Sequence, residues 1–207
     1  MANSDTPFGL RPIRHRNGAP YNGAMSPYYV PVGYATALFI GEAVVKTGTA
    51  NTAEVSAPGL GTFNIGTLPE INKAAAGDGN AITGVIVGFG ARPETTLEQV
   101  YKPASTASIV WVADDPDLVF EIQADGAIAA TQVGLNAVLI DTHAGDTTTG
   151  LAGTELDTAS DAPAADASNQ LTIMRLVNRI DNEPNLIHNK VEVAICLHTE
   201  ASGAIGL

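Results

Sequence analysis

The sequence predicts an all-β fold: a β-barrel or a jelly-roll-like sandwich with an extended N-terminal arm and little helix. Three observations carry this. Short runs rich in Val and Ile recur along the chain, each bounded by Gly, Pro, Asp or Asn. The last run alternates strictly between apolar and other residues. Tight-turn tetrapeptides separate the runs where hairpins need them.

The first 33 residues read as the arm. Pro7, Pro12, Pro20, Pro27 and Pro31 are interleaved with Gly9, Gly18 and Gly23. Proline fixes φ and removes a backbone donor, so an extended or polyproline-like path is predicted. Yet Phe8, Leu10, Ile13, Tyr21, Tyr28 and Tyr29 are too apolar for a solvated linker. The segment is expected to lie on a surface, either that of a neighbouring subunit or, as an ordinary strand and loop, that of its own body.

Residues 34–207 form the β-rich body. The runs ALFIGEAVVKTG (Ala37 to Gly48), AITGVIVGFG (Ala81 to Gly90), ASIVWVADD (Ala107 to Asp115), LVFEIQADG (Leu118 to Gly126) and NAVLIDTH (Asn136 to His143) read as strands. GDGN (Gly77 to Asn80) and DDPD (Asp114 to Asp117) read as turns. AIAATQVG (Ala127 to Gly134) has room for one or two helical turns. LTIMRLVNRI (Leu171 to Ile180) fits both periods imperfectly and is read as a strand. KVEVAICLHTE (Lys190 to Glu200) puts Val191, Val193, Ile195 and Leu197 on one face, the pattern of a half-buried strand. Between residues 142 and 170 lie five acids, no Lys or Arg and almost nothing large, so an exposed acidic loop is expected.

Apolar residues make up 45% of the chain but aromatics only 5%, which predicts a core of small and β-branched side chains. Cys196, the only cysteine, reads as a core thiol. There is no signal-like apolar stretch at the N-terminus and no apolar run near the roughly 20 residues a membrane helix needs. Folding in a reducing cytoplasm, with no membrane partner, is expected. Charge is uneven: residues 1–41 carry Arg11, Arg14 and Arg16 against Asp5, while the remainder is strongly acidic and brings the chain to −12. An acidic body repels phosphates, so no nucleic acid partner is expected. The basic segment suits an acidic partner or the chain's own acidic body.

No catalytic pattern survives inspection. His15, His143, His188 and His198 contain no i, i+4 pair and no HExxH, so no zinc site is expected. DDPD lacks the spacing of a calcium loop. GDGNAITG lacks the lysine and the helix of a phosphate-binding loop, and GxSxG is absent. Paired carboxylates of the glycosidase kind are not excluded by an acidic composition, but nothing singles out a pair. The chain is therefore read as a non-enzyme without cofactor.

The segments MANSDTPFGLRPIRHRNGAPYNGAMSPYYVP, TALFIGEAVVKTGTAN, AGDGNAITGVIVGF and DDPDLVFEIQADG, in that order, resemble a group of small structural proteins encoded with the head genes of tailed bacteriophages. The likeness runs from Ala2 to about Thr199. It implies a virion protein, a decoration or cement protein assembled in the bacterial cytoplasm and bound to the outer surface of the major capsid protein, as a homotrimer at three-fold positions. It carries no catalytic residues. On this reading the arm staples neighbouring capsid subunits: Phe8, Leu10, Ile13, Tyr21, Tyr28 and Tyr29 bury apolar area there, and Arg11, Arg14 and Arg16 pair with carboxylates. A tail or fibre component, or an adhesin touching host glycans through the acidic loop, is the alternative; a hydrolase acting on cell-wall polymer ranks below both.

Overall fold

A computed structural model describes residues 3–90 and 100–201; the ends of the predicted arm and body, residues 1–2 and 202–207, fall outside it. Among the described residues fourteen strands follow one another: β1 (Arg11–His15), β2 (Ser26–Val30), β3 (Ala43–Ala50), β4 (Val55–Ala57), β5 (Gly61–Phe63), β6 (Pro69–Lys73), β7 (Gly84–Phe89), β8 (Ser108–Ala113), β9 (Leu118–Gln123), β10 (Asn136–Ala137), β11 (Leu139–Ile140), β12 (Glu155–Leu156), β13 (Leu171–Leu176) and β14 (Lys190–Ile195). The all-β class is as the sequence predicts. Of the candidate helix at Ala127 to Gly134, only a 3-10 turn at Ala130–Gln132 forms.

Two units share the work. Strands β2, β6, β3, β7 and β8 close into a barrel, and β1, β9, β14, β13 and β10 form a five-stranded antiparallel sheet. Strand alternation explains how they join. On β3 and β7, Val44 and Ile86 point into the barrel with Tyr28, Val30, Ile71, Val110 and Val112. Their neighbours Ala43 and Val85 point the other way, into a second core built with Leu118, Phe120 and Ile122 of β9 and Val191, Val193 and Ile195 of β14. The sheet thus covers the outer face of the barrel, and one set of strands feeds both cores. As composition predicts, Ala, Val, Ile and Leu dominate both.

The expected division into an N-terminal arm and a body does not describe this chain. β1 pairs with β9, and β2 is a barrel stave pairing with β8 from Ser26↔Val112 to Val30↔Ser108. The prolines permit this because of where they fall. β1 is the edge strand of its sheet, where a missing donor faces no partner strand, and a bulge follows Pro12. Pro27 stands near the start of β2, which meets its other neighbour β6 only at Tyr29↔Glu70. Both prolines thus fall on strands with little or no strand pairing on one side.

Two more expectations need correction. β14 is buried on both faces: Glu192 and Ala194 are enclosed as well as Val191 and Val193. The stretch 142–170 is largely exposed only over residues 142–149 and 159–167, and its last residues, Asn169 and Gln170, are buried. Its middle, from Ala152 to Asp157, is buried, and β12 within it pairs with β11. Small residues made that stretch look empty, yet they are what lets backbone pass close to backbone. A Cβ on Gly153 would lie 2.3 Å from the His143 carbonyl oxygen.

Candidate functional site

The nine N-terminal residues expected to meet a partner are dispersed by the fold. Phe8, Leu10 and Tyr28 are buried inside the chain's own cores. Gly9 makes the approach possible: at φ +69°, a Cβ there would stand 2.4 Å from the Gly41 carbonyl oxygen, and the next amide, Leu10, donates to that same oxygen at 2.8 Å. Tyr28 donates its hydroxyl to Asp114 at 2.9 Å, and burial, then the Asp114 charge, raises its pKa. Arg14 donates through Nε and Nη2 to one Glu192 oxygen at 3.1 and 2.7 Å. Arg16 donates to the Ile195 carbonyl at 3.0 Å.

The rest are nearer the surface. The Arg11 guanidinium lies 4.5 Å over the Phe8 ring, on the exposed side. Ile13, Tyr21 and Tyr29 are half-buried; the Tyr21 hydroxyl donates to the Ala24 carbonyl, and Tyr29 has its pKa raised by burial and by Glu70. The structure brings the nine onto no common exposed face. Three are interior, and Arg14 answers a charge of the body itself.

Residues that the sequence offered only singly, His143 and His188 among them, do converge. Asp5 precedes β1, Gln123 ends β9, Thr142 and His143 follow β11, Glu155 opens β12, and His188 stands just before β14. The Gln123 amide nitrogen donates to Asp5 Oδ1 at 3.2 Å and to Glu155 Oε1 at 3.1 Å, tying the two carboxylates together. Its oxygen accepts from the Thr6 amide, which fixes the way the side chain points. His143 lies between the same carboxylates, with Nδ1 3.1 Å from Glu155 Oε2 and Nε2 3.7 Å from Asp5 Oδ2. The Thr142 hydroxyl also donates to Glu155. On the far side of Asp5, His188 places Nδ1 3.7 Å from Oδ1.

Chain path explains the convergence. Asn3 clamps the 183–187 loop, donating to the carbonyls of Glu183 and Ile187 and accepting from the Glu183 amide, which sets Asp5 beside His188. The β11–β12 ladder, with Ile140 opposite Glu155, brings His143 onto that carboxylate. His188 adopts φ +59°, the left-handed region that non-glycine residues seldom occupy. Glu155 is 1% exposed, whereas His143 is open to solvent.

A second polar group adjoins the first. Lys73 bridges Glu42 and Asp141 at 3.1 Å each, and Asp141 accepts from the Thr154 hydroxyl. Burial raises the Glu42 pKa despite the opposing Lys73 charge. For Lys73, burial pulls the pKa down, but the two carboxylates outweigh it and the ammonium is held charged.

The Asp5–His143–Glu155 group escaped sequence reading because spacing searches look along the chain, and these donors come from three separate segments. The faint local signal was Glu155 itself, an acid beside Leu156 in a stretch otherwise short of large side chains. No family model matches the chain, and neither a curated protein nor a solved structure matches it.

Proposed function

We propose that this chain is a non-enzymatic virion protein of a tailed bacteriophage, a decoration or cement protein that binds the outer surface of the major capsid lattice. The observation that carries the reading is the ordered run of segments from Ala2 to about Thr199 that resembles proteins encoded with phage head genes. The physical character of the molecule agrees with it: the strands of one barrel feed two adjoining cores filled mainly with aliphatic side chains.

The mode of attachment differs from a free strap, because the N-terminal segment is spent on the chain's own sheet and barrel. Contact with the lattice falls instead to outward apolar residues. The 177–188 loop carries Ile180, 96% exposed, together with exposed Leu186 and Ile187. Burying such side chains stabilises an interface by about 25 cal/mol per Å² of apolar area, and a protein that binds only the assembled lattice stabilises it by mass action. Homotrimers at three-fold positions follow from the same resemblance.

The test is cosedimentation of the full-length protein with expanded heads built from the major capsid protein of the same phage. Saturable binding that raises the temperature of head rupture, and that Ile180→Asp weakens, is the expected result. Binding to tails and not to heads would overturn the reading.

A further inference from the structure

The Asp5–His143–Glu155 group carries an inference independent of the virion reading. We propose that Asp5, His143 and Glu155 form a binding site for a divalent transition cation, with Zn²⁺ the ion it fits, and that His188 positions Asp5 from behind.

Three observations converge. First, one ligand atom from each of the three side chains lies within 4.8 Å of the other two. Ligands about 2.1 Å from zinc in a tetrahedral array stand roughly 3.4 Å apart, so a small rotation of the exposed Asp5 and His143 side chains closes the site. Second, among the described residues its two carboxylates face imidazoles and no permanent cation. Two carboxylates share one amide, Glu155 is 1% exposed, and among the described residues neither is paired with Lys or Arg. A buried carboxylate without a cation is costly, and a dication neutralises both. Third, His188 Nδ1 is buried without a hydrogen-bond partner while facing Asp5 Oδ1 at 3.7 Å. An unsatisfied buried group beside a carboxylate is what an outer-shell donor looks like before its ligand is drawn into place.

The donor set selects the ion. Calcium and magnesium take oxygen ligands, whereas an imidazole nitrogen with two carboxylate oxygens suits zinc, leaving a fourth position for water. The consequence is a tie between segments far apart in sequence, since the cation joins the residues ahead of β1 to the β11–β12 pair.

The experiment is calorimetric titration of metal-stripped, full-length protein with ZnCl₂, followed by thermal melting. One Zn²⁺ per chain is expected, with a melting temperature raised by roughly 5–10 °C at a hundredfold excess over Kd. His143→Ala and Asp5→Asn are expected to abolish this binding while leaving the apo melting temperature near that of the parent. His188→Ala is expected to weaken it about 10–100-fold without moving the apo melt, the mark of a positioning residue. His15→Gln, remote from the site, is expected to leave it unchanged. No stoichiometric Zn²⁺ binding by the parent chain, or binding that persists at full strength in His143→Ala, would overturn the proposal.

Discussion

Glu121 and Glu192 stand directly opposite each other on β9 and β14, two like charges at the centre of a sheet. Such a pair is destabilising unless each charge is answered. Arg179 grips Glu121 with two hydrogen bonds, at 2.7 and 3.0 Å, while Arg14 and Arg175 hold the two oxygens of Glu192. Arg14 belongs to the N-terminal segment, so part of that segment's basic character is explained by acids of the chain's own body.

Arg14→Ala is therefore expected to destabilise the fold. Glu192 keeps Arg175, so the loss is that of one charge-assisted contact, about 1–3 kcal/mol. In a chain of this size the melting temperature falls by roughly 2–4 °C for each kcal/mol, and denaturant unfolding gives the free energy directly. Arg14→Lys is expected to recover only part of the loss, because one ammonium does not reproduce the Nε and Nη2 pair.

Glu192 also sets a pH dependence. Burial pushes its carboxyl upward, but hydrogen bonds from Arg175 and Arg14 outweigh this and hold the pKa below its ordinary value. A folded pKa below the unfolded value, about 4.3, means the stabilisation is fully present above that pH. It is lost as pH falls through the folded value. Glu192→Gln is expected to flatten this acid limb; a parent-like decline between pH 5 and 3 in the variant, pH values set by that reference, would assign the titration elsewhere.

Gly9→Ala is expected to cost at least about 2 kcal/mol, since it combines left-handed backbone strain with a clash against the Gly41 carbonyl. Gly18→Ala, at φ +90° with nothing near its Cβ, carries the strain alone, roughly 1 kcal/mol. Equal losses in the two variants would show that residues 8–10 are not packed against Gly41.

Cys196 is expected to be a slow thiol. Burial raises its pKa, and Sγ donates to the Asn169 carbonyl at 2.8 Å. A raised pKa leaves less thiolate at neutral pH, so a disulfide reagent is expected to modify the native chain at least about tenfold more slowly than the unfolded chain.

The legible parts of the fold were those whose local pattern and tertiary environment agree. β7, β8, β9 and β13 are short apolar runs between turn formers, and they are strands. β14 was legible as a strand but not in its burial, because Glu192 reads as a solvent-facing residue until its arginines, 17 positions away on β13 and on β1, are in place. The N-terminal segment misled for a related reason. Proline excludes a strand from the middle of a sheet, but it does not exclude an edge strand or a stave paired on one side, and sequence does not say which strand will be the edge. The Asp5–His143–Glu155 group was not legible as a group, because it exists only where the residues ahead of β1, β9, the β11–β12 pair and the approach to β14 meet.

Hydrogen exchange on the isolated full-length protein tests most directly whether the proline-rich N-terminal residues fold onto their own chain. Amides of Leu10, His15, Arg16 and Tyr21 donate to backbone carbonyls, so their exchange is expected to be slowed well below unfolded-chain rates. Unprotected exchange throughout residues 8–30 in the free protein would contradict the account and restore a free arm.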